Sequence, residues 1–118
     1  MQLQVIEYLD SESVEAIIQL TDGEISILAY SYPFHSPEIQ NSVRLFSFFT
    51  QNIVREQEFI EPVKTNLGFF SYRLTAKVVN RSECLVQINN INIILDTKIP
   101  GDIQNGEYIS FDVSRLDY

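Results

Sequence analysis

The chain has few of the residues that build covalent or metal-held scaffolds. Its 118 residues include one cysteine, one histidine and no tryptophan. A single cysteine cannot form an intrachain disulfide, and these two residues cannot supply the four ligands of a structural zinc site. The four glycines and four prolines are scattered, so no linker divides the sequence. We therefore expect one domain over residues 1–118, held together by its hydrophobic core.

Basic residues are also few. Lysine and arginine number 8 against 16 acidic residues, which gives a formal net charge of −8. Nucleic-acid affinity depends largely on lysine and arginine at phosphates, so this balance argues against a generic nucleic-acid binder.

Long apolar runs are absent. No run approaches the roughly 20 apolar residues that cross a bilayer as a helix. Residues 1–5 show no basic region leading into an apolar stretch, so we expect no signal peptide. These observations predict a cytoplasmic protein with no membrane partner.

Apolar and polar residues alternate through much of the chain, which is the pattern of half-buried strands. In one such segment Tyr72, Leu74, Ala76 and Val78 share a face. The same pattern predicts strands over residues 3–9, 14–20, 24–31, 84–88, 91–95 and 109–113. Tight turns are expected at Asp22-Gly23 and Asn89-Asn90. The predicted core includes Ile18, Ile27, Leu74, Val86, Ile93 and Phe111.

Residues 37–56 are predicted to form the one helix. Ser36, Pro37 and Glu38 resemble a helix start, with a capping hydroxyl, proline at the first helical position and an acid in the first turn. On a helical wheel the apolar side chains of this segment fall mainly on one half, with Phe48 as the exception. The alternative is a strand through residues 43–49, which are rich in aromatic side chains.

This order, three strands, a helix and then further strands, resembles the OB fold, a small Greek-key barrel. The resemblance rests on the lengths and order of the elements, and the segment from Ala76 to Leu116 is most similar to the closing strands of that fold. The expected class is mainly β: an OB-like barrel or a rolled antiparallel sheet of about five to seven strands with a helix around residues 37–56.

No residue pattern points to catalysis, and we expect no enzyme, metal or cofactor. Cys84 lies on the apolar side of its predicted strand, which favours a packed thiol over a nucleophile. His35 lies between two prolines, and one histidine cannot form a histidine-rich site. Phosphate-binding loops and the EF-hand pattern are both missing.

The acidic residues suggest a function in binding. Two groups are dense in sequence, and we predict that they contact a protein partner. They are Asp10, Glu12 and Glu15, and Glu56, Glu58 and Glu61. Because a negative field attracts positively charged partners, the leading hypothesis is a non-enzymatic inhibitor or immunity-type protein that binds a basic protein.

An alternative function uses a different set of side chains. Arg73, Lys77 and Arg81 share one strand parity, and Phe69 lies just before them. On an OB-type barrel, such aromatic and basic side chains stack bases and hold phosphates. The alternative is therefore a single-stranded nucleic-acid binding module.

Overall fold

In the computed structural model of the chain, the described residues are 2–10, 15–21, 24–32 and 43–118. They contain eleven strands and one short 3₁₀ turn, Arg81–Glu83. The strands are β1 (Gln2–Asp10), β2 (Glu15–Thr21), β3 (Ser26–Ser31), β4 (Val43–Phe48), β5 (Gln51–Glu56), β6 (Val63–Lys64), β7 (Tyr72–Asn80), β8 (Leu85–Ile88), β9 (Ile91–Ile94), β10 (Tyr108–Val113) and β11 (Arg115–Asp117). Within these ranges no helix is long and apolar enough to cross a membrane.

All eleven strands belong to one mixed sheet. Ten of them follow the order β1-β2-β3-β11-β4-β9-β8-β7-β10-β5, and β6 pairs with β7 beside this path. Most neighbours are antiparallel, but β11 runs parallel to β3 and β9 runs parallel to β4. Within the described ranges the path has two ends, β1 and β5, so the backbone ladder formed by these strands does not close.

The sheet nevertheless curls. Tyr72, at the start of β7, accepts a hydrogen bond at its hydroxyl from the backbone N–H of Leu28 in β3, over 2.9 Å. Nearby, the ring of Phe70 lies edge-on to Tyr30 of β3, with centroids 6.3 Å apart. Four strands separate β3 from β7 along the ladder. Side chains therefore join two strands that the backbone ladder holds apart.

The core is the apolar side of this curled sheet. In β7 the side chains of Tyr72, Leu74, Ala76 and Val78 are all buried, as the alternation predicts. The six predicted core residues Ile18, Ile27, Leu74, Val86, Ile93 and Phe111 are fully buried, which confirms that part of the sequence analysis. The β2–β3 and β8–β9 hairpins also form as predicted, although Asp22-Gly23 lies outside the described residues.

The helix predicted over residues 37–56 is wrong for residues 43–56. Residues 37–42 lie outside the described residues. Residues 43–48 and 51–56 form β4 and β5. Val43, Leu45 and Ser47 are buried and the residues between them are exposed, which is the two-residue period of a strand. The alternative strand prediction over residues 43–49 therefore holds for β4.

The predicted number of strands and the predicted barrel are also wrong. The described chain has more than the five to seven predicted strands, its sheet is mixed rather than antiparallel, and the ladder is open. The additional strands are β4, β5, β6 and β11. The structure agrees with the predicted resemblance to the OB fold only in being a small, mainly β fold with one curled sheet.

A hydrogen-bonded cluster fixes the turn between β4 and β5. The Asp96 carboxylate accepts hydrogen bonds from the backbone N–H groups of Phe49, over 2.7 Å, and Thr50, over 3.2 Å. The Ser47 and Thr50 hydroxyls lie 2.7 Å apart, and Ser47 also accepts from the Asp96 backbone N–H. Phe49 is held at a positive φ of 56°. Asp96 thus ties a strained turn to the end of β9.

Replacing Asp96 with Asn is expected to lower the free energy of unfolding by about 1–2 kcal/mol at pH 7, because an amide oxygen replaces a charged acceptor. Burial acts to raise the pKa of Asp96, but hydrogen bonds from Thr50 and Phe49 outweigh it and hold the pKa below its ordinary value. A lowered folded-state pKa stabilises the fold above the unfolded-state value. That contribution is lost as the pH falls through the folded-state value.

Urea unfolding of wild type and Asp96→Asn at neutral and acidic pH measures this effect. The difference between the two proteins should shrink once the pH falls below the ordinary aspartate value of 3.8. Glu83→Gln is the control, because Glu83 is exposed and its carboxylate meets no cation among the described residues. A pH-independent difference would contradict this assignment.

Cys84 was predicted to lie in a strand, but in the structure it lies just before one. It caps the 3₁₀ turn in the left-handed conformation, with φ at 58°, and β8 begins one residue later. Its side chain is half-buried and packs against the core. The turn thus places Val86 and Ile88 on the core side, as predicted.

Candidate functional site

The connection from β5 to β6 crosses one face of the sheet. β5 pairs with one edge of β10, β10 pairs with β7, and β6 pairs with the far edge of β7. Residues 57–62, named here the crossover, therefore pass over β10 and β7. On the covered face, opposite the core, Thr75 and Ser110 are 3% and 2% exposed. The crossover explains why these two outward-pointing hydroxyl residues are buried.

A pocket of about 280 Å³ lies between the crossover and the sheet. Its walls include Ile60, Glu61, Val63 and Thr65, from the crossover and the residues just after it. Its sheet side is formed by Glu56, Arg73, Thr75 and Ser110. The pocket thus combines apolar walls with a few polar groups, which is the usual composition of a binding pocket.

The polar groups of the sheet side form a connected chain. The Ser110 hydroxyl donates to Glu56 Oε1 over 2.6 Å and accepts from Arg73 Nη2 over 3.0 Å. Arg73 Nη1 lies 3.1 Å from Asp112 Oδ1. The Arg73 charge is therefore balanced by Asp112, whereas the Glu56 carboxylate accepts from a neutral hydroxyl and forms no ion pair among the described residues.

A bulge in β5 supports this chain. Asn52 has a positive φ of 58° and lies where the β5–β10 register shifts. Its amide donates to Asp112 Oδ2 over 2.8 Å, and its backbone carbonyl accepts from Arg73. Hydrogen bonding to Asn52, opposed by burial and reinforced by Arg73, lowers the pKa of Asp112. Asp112 therefore holds both Asn52 and Arg73 in place.

A tight turn positions the wall that contains Thr65. The buried Ser71 hydroxyl accepts from the Gly68 N–H over 2.9 Å and lies 3.0 Å from the Thr65 carbonyl. The Thr65 N–H donates to the Ser71 carbonyl over 3.2 Å. The Thr65 hydroxyl oxygen itself is buried, and no hydrogen-bond partner is found for it in the described part of the chain.

The structure places the two predicted acidic groups at opposite ends of the strand order. Asp10 pairs with Glu15 in the β1–β2 ladder, while Glu12 and the side chain of Asp10 lie outside the described residues. The second group is at the crossover. Glu56 ends β5, and Glu58 and Glu61 are exposed on the crossover itself.

The predicted nucleic-acid residues do not share one groove. Arg73 lies in the pocket under the crossover, and Lys77 lines a separate pocket with Phe59 and Tyr108. Arg81 is in the 3₁₀ turn, beside a third, polar pocket. The ring of Phe69 is exposed, but Lys64 Nζ lies 5.0 Å from its centroid.

Sequence reasoning missed the apolar residues of the site. Four of them are about half exposed around the acids: Val54 at 45%, Phe59 at 38%, Ile60 at 45% and Val63 at 52%. The available signal was the apolar pair Phe59-Ile60 between two glutamates, in a segment with no strand or helix period. Thr75 and Ser110 gave no signal, because their burial depends on the crossover.

A second cluster of aromatic and charged side chains lies on β3, β4 and β11. The Arg115 guanidinium carbon lies 4.9 Å from the ring centroid of Tyr30 and 4.8 Å from that of Phe48. Arg115 also forms two hydrogen bonds with Asp117, over 2.6 and 3.0 Å. These contacts hold the guanidinium between β3, β4 and β11, so we assign the cluster to the attachment of β11.

Comparison with known proteins adds no assignment: no family model, curated protein or solved structure matches the chain. The class is therefore defined by the structure alone, as a mainly β protein with one curled, open, mixed sheet. In the described ranges no three histidine, cysteine, aspartate or glutamate residues are grouped to hold a metal ion. The crossover site offers carboxylate acceptors beside apolar walls, an arrangement suited to binding cationic groups with apolar stems.

Proposed function

We propose that this protein is a non-enzymatic binding domain that docks a basic partner protein on its crossover. The observation that carries the proposal is the surface around residues 54–63, which combines four half-exposed apolar side chains with three carboxylates. Exposed apolar groups rimmed by charge are typical of interaction surfaces. The carboxylates favour a partner rich in lysine and arginine.

Two arginines near the crossover are already paired with acidic side chains of this protein. Arg55 is paired with Glu107, with Nε and Oε2 2.8 Å apart, and Arg73 is paired with Asp112. Glu58 and Glu61 meet no cation among the described residues. Lys77, which lines a pocket with Phe59, likewise meets no carboxylate among the described residues, so the three glutamates exceed its single charge and the surface is negative on balance.

The proposal retains the biological role inferred from the sequence. An inhibitor or immunity-type protein needs a surface that covers its partner and no catalytic group, and a cytoplasmic location fits such a role. Asp10, Glu12 and Glu15 stay predicted as a second contact region; Asp10 and Glu15 pair in the β1–β2 ladder, and Glu12 lies outside the described residues.

The test begins with selection of peptides from a random display library on the immobilised protein. We expect the selected sequences to combine lysine or arginine with large apolar residues. The tightest-binding synthetic peptide then serves as the probe. Recovery of acidic or charge-free sequences would contradict the proposal.

Glu58→Lys is the diagnostic variant, and Glu83→Lys is its matched control, because both sites are exposed and both variants change the net charge equally. Association of the probe should slow about tenfold with Glu58→Lys at low salt, and the difference should shrink as salt is added. Stopped-flow association rates measure this effect. Equal slowing by both variants would show that only the net charge of the protein affects association. That result would reject the crossover as the docking site.

Glu56 is unsuitable for this test, because it accepts a 2.6 Å hydrogen bond from Ser110. The alternative, single-stranded nucleic-acid binding through Phe69, Arg73, Lys77 and Arg81, stays a prediction. Titration with labelled single-stranded DNA and RNA at low salt decides it. Binding that weakens with Lys77→Ala and with added salt would favour the alternative over the docking of a protein.

A further inference from the structure

The residues that line the pocket under the crossover indicate which kind of side chain would bind there. The surrounding surface indicates only a basic partner. One side is apolar, formed by Ile60 and Val63, and the rim and sheet side include Glu56 and Glu61. A purely apolar side chain would leave both carboxylates without a counter-charge, since neither forms an ion pair among the described residues. An anionic side chain would be repelled by them.

The occupant must also supply hydrogen-bond donors. One oxygen of Glu56 accepts from Ser110, and its other oxygen has no partner among the described residues. Lysine and arginine side chains carry only donors at their charged ends, and their aliphatic stems pack on apolar surface.

Arg73 does not prevent entry of a cation. Its guanidinium lies 3.1 Å from Asp112 and 3.0 Å from the Ser110 hydroxyl, so its positive charge is balanced and its orientation fixed. With Arg73 and Asp112 taken as a neutral pair, the remaining charges of the pocket are the two carboxylates of Glu56 and Glu61.

We propose that this pocket receives a single lysine or arginine side chain of the basic partner, with the stem against Ile60 and Val63 and the charged end at Glu56 and Glu61. This inference rests on the proposed function and names the anchor residue by which the partner binds. The crossover surface around the pocket then excludes water from the anchored side chain, as the rim of a binding hot spot does.

The experiment replaces each lysine and arginine of the selected probe peptide, one at a time, with norleucine, which keeps an aliphatic stem and removes the charge. At one position we expect binding to weaken by about 10- to 100-fold, the effect of truncating a desolvated charged partner. At the other positions the loss should be only a fewfold, because rim charges contribute little.

Glu61→Gln identifies the contact through a double-mutant cycle measured by calorimetry. It should weaken the original peptide about tenfold and leave the norleucine peptide unaffected, whereas Glu83→Gln should affect neither. Glu61 is exposed, so folding should be preserved, and the urea midpoint of each variant checks this.

The outcomes separate the two proposals. If Glu58→Lys slows association but no norleucine position couples to Glu61, the docking surface stands and the anchor pocket is rejected. If no basic peptide is selected, or if Glu58→Lys has no specific effect, both proposals fail. Coupling confined to one cationic position establishes the pocket as the anchor site.

Discussion

Phe111→Ala is expected to lower the free energy of unfolding by about 3–5 kcal/mol, which is the usual loss when a buried aromatic side chain is truncated. Phe111 is the largest fully buried side chain among the residues whose burial is described, and it lies in β10, opposite Leu74 of β7. These two strands also form the sheet side of the candidate pocket. A cavity here therefore weakens both the core and the platform of the site.

Urea or thermal unfolding of the purified variant measures this loss. Phe69→Ala is the control, because Phe69 is 59% exposed and its removal leaves no cavity in the core. We expect the control to change the free energy of unfolding by less than about 1 kcal/mol. An unchanged melting temperature for Phe111→Ala would show that the side chain is not in the core.

Leu45→Ala should lower the free energy of unfolding by about 2–5 kcal/mol, while Phe46→Ala should change it by less than about 1 kcal/mol. Leu45 is fully buried in β4, opposite Ile93 of β9, and Phe46 is 48% exposed on the other face. The pair distinguishes a strand from a helix, because a helix would place both residues on its apolar half.

Equilibrium unfolding of the two variants, under identical conditions, provides the comparison. A large effect of Phe46→Ala, equal to that of Leu45→Ala, would contradict the strand and favour the helix. Far-UV circular dichroism of the wild type supplies an independent check, since the structure requires a spectrum dominated by strands.

The strands of the second half were predictable because burial there follows the sequence period. Leu74, Ala76 and Val78 point to the core and Arg73 and Lys77 do not, so simple alternation is sufficient. The residues 43–56 carried two patterns at once. Apolar side chains at Phe46 and Val54 complete a helical face, although in the structure both are exposed. Tertiary pairing with β9 and β10 decides between the two patterns.

The sequence did not predict β6, β11 or the position of the crossover, because these segments are short or lack a regular period. β11 has three residues and β6 has two, too few to show a period. The crossover has no period either, and its position depends on the pairing of β5 with β10, which is a long-range contact. The acids Glu58 and Glu61 could be chosen from sequence, but Ile60 and Ser110 could not be placed in one pocket.

The position of β11 has a consequence for the folding pathway. β11 follows the ten other described strands in sequence, yet it lies between β3 and β4. Among the described residues it is the one strand that connects the β1–β3 hairpins to the rest of the backbone ladder. We therefore expect the N-terminal hairpins to form from local contacts before β11 joins them to the β4–β10 body. Pairing between segments so far apart in sequence slows folding, so we expect the docking of β11 to limit the folding rate.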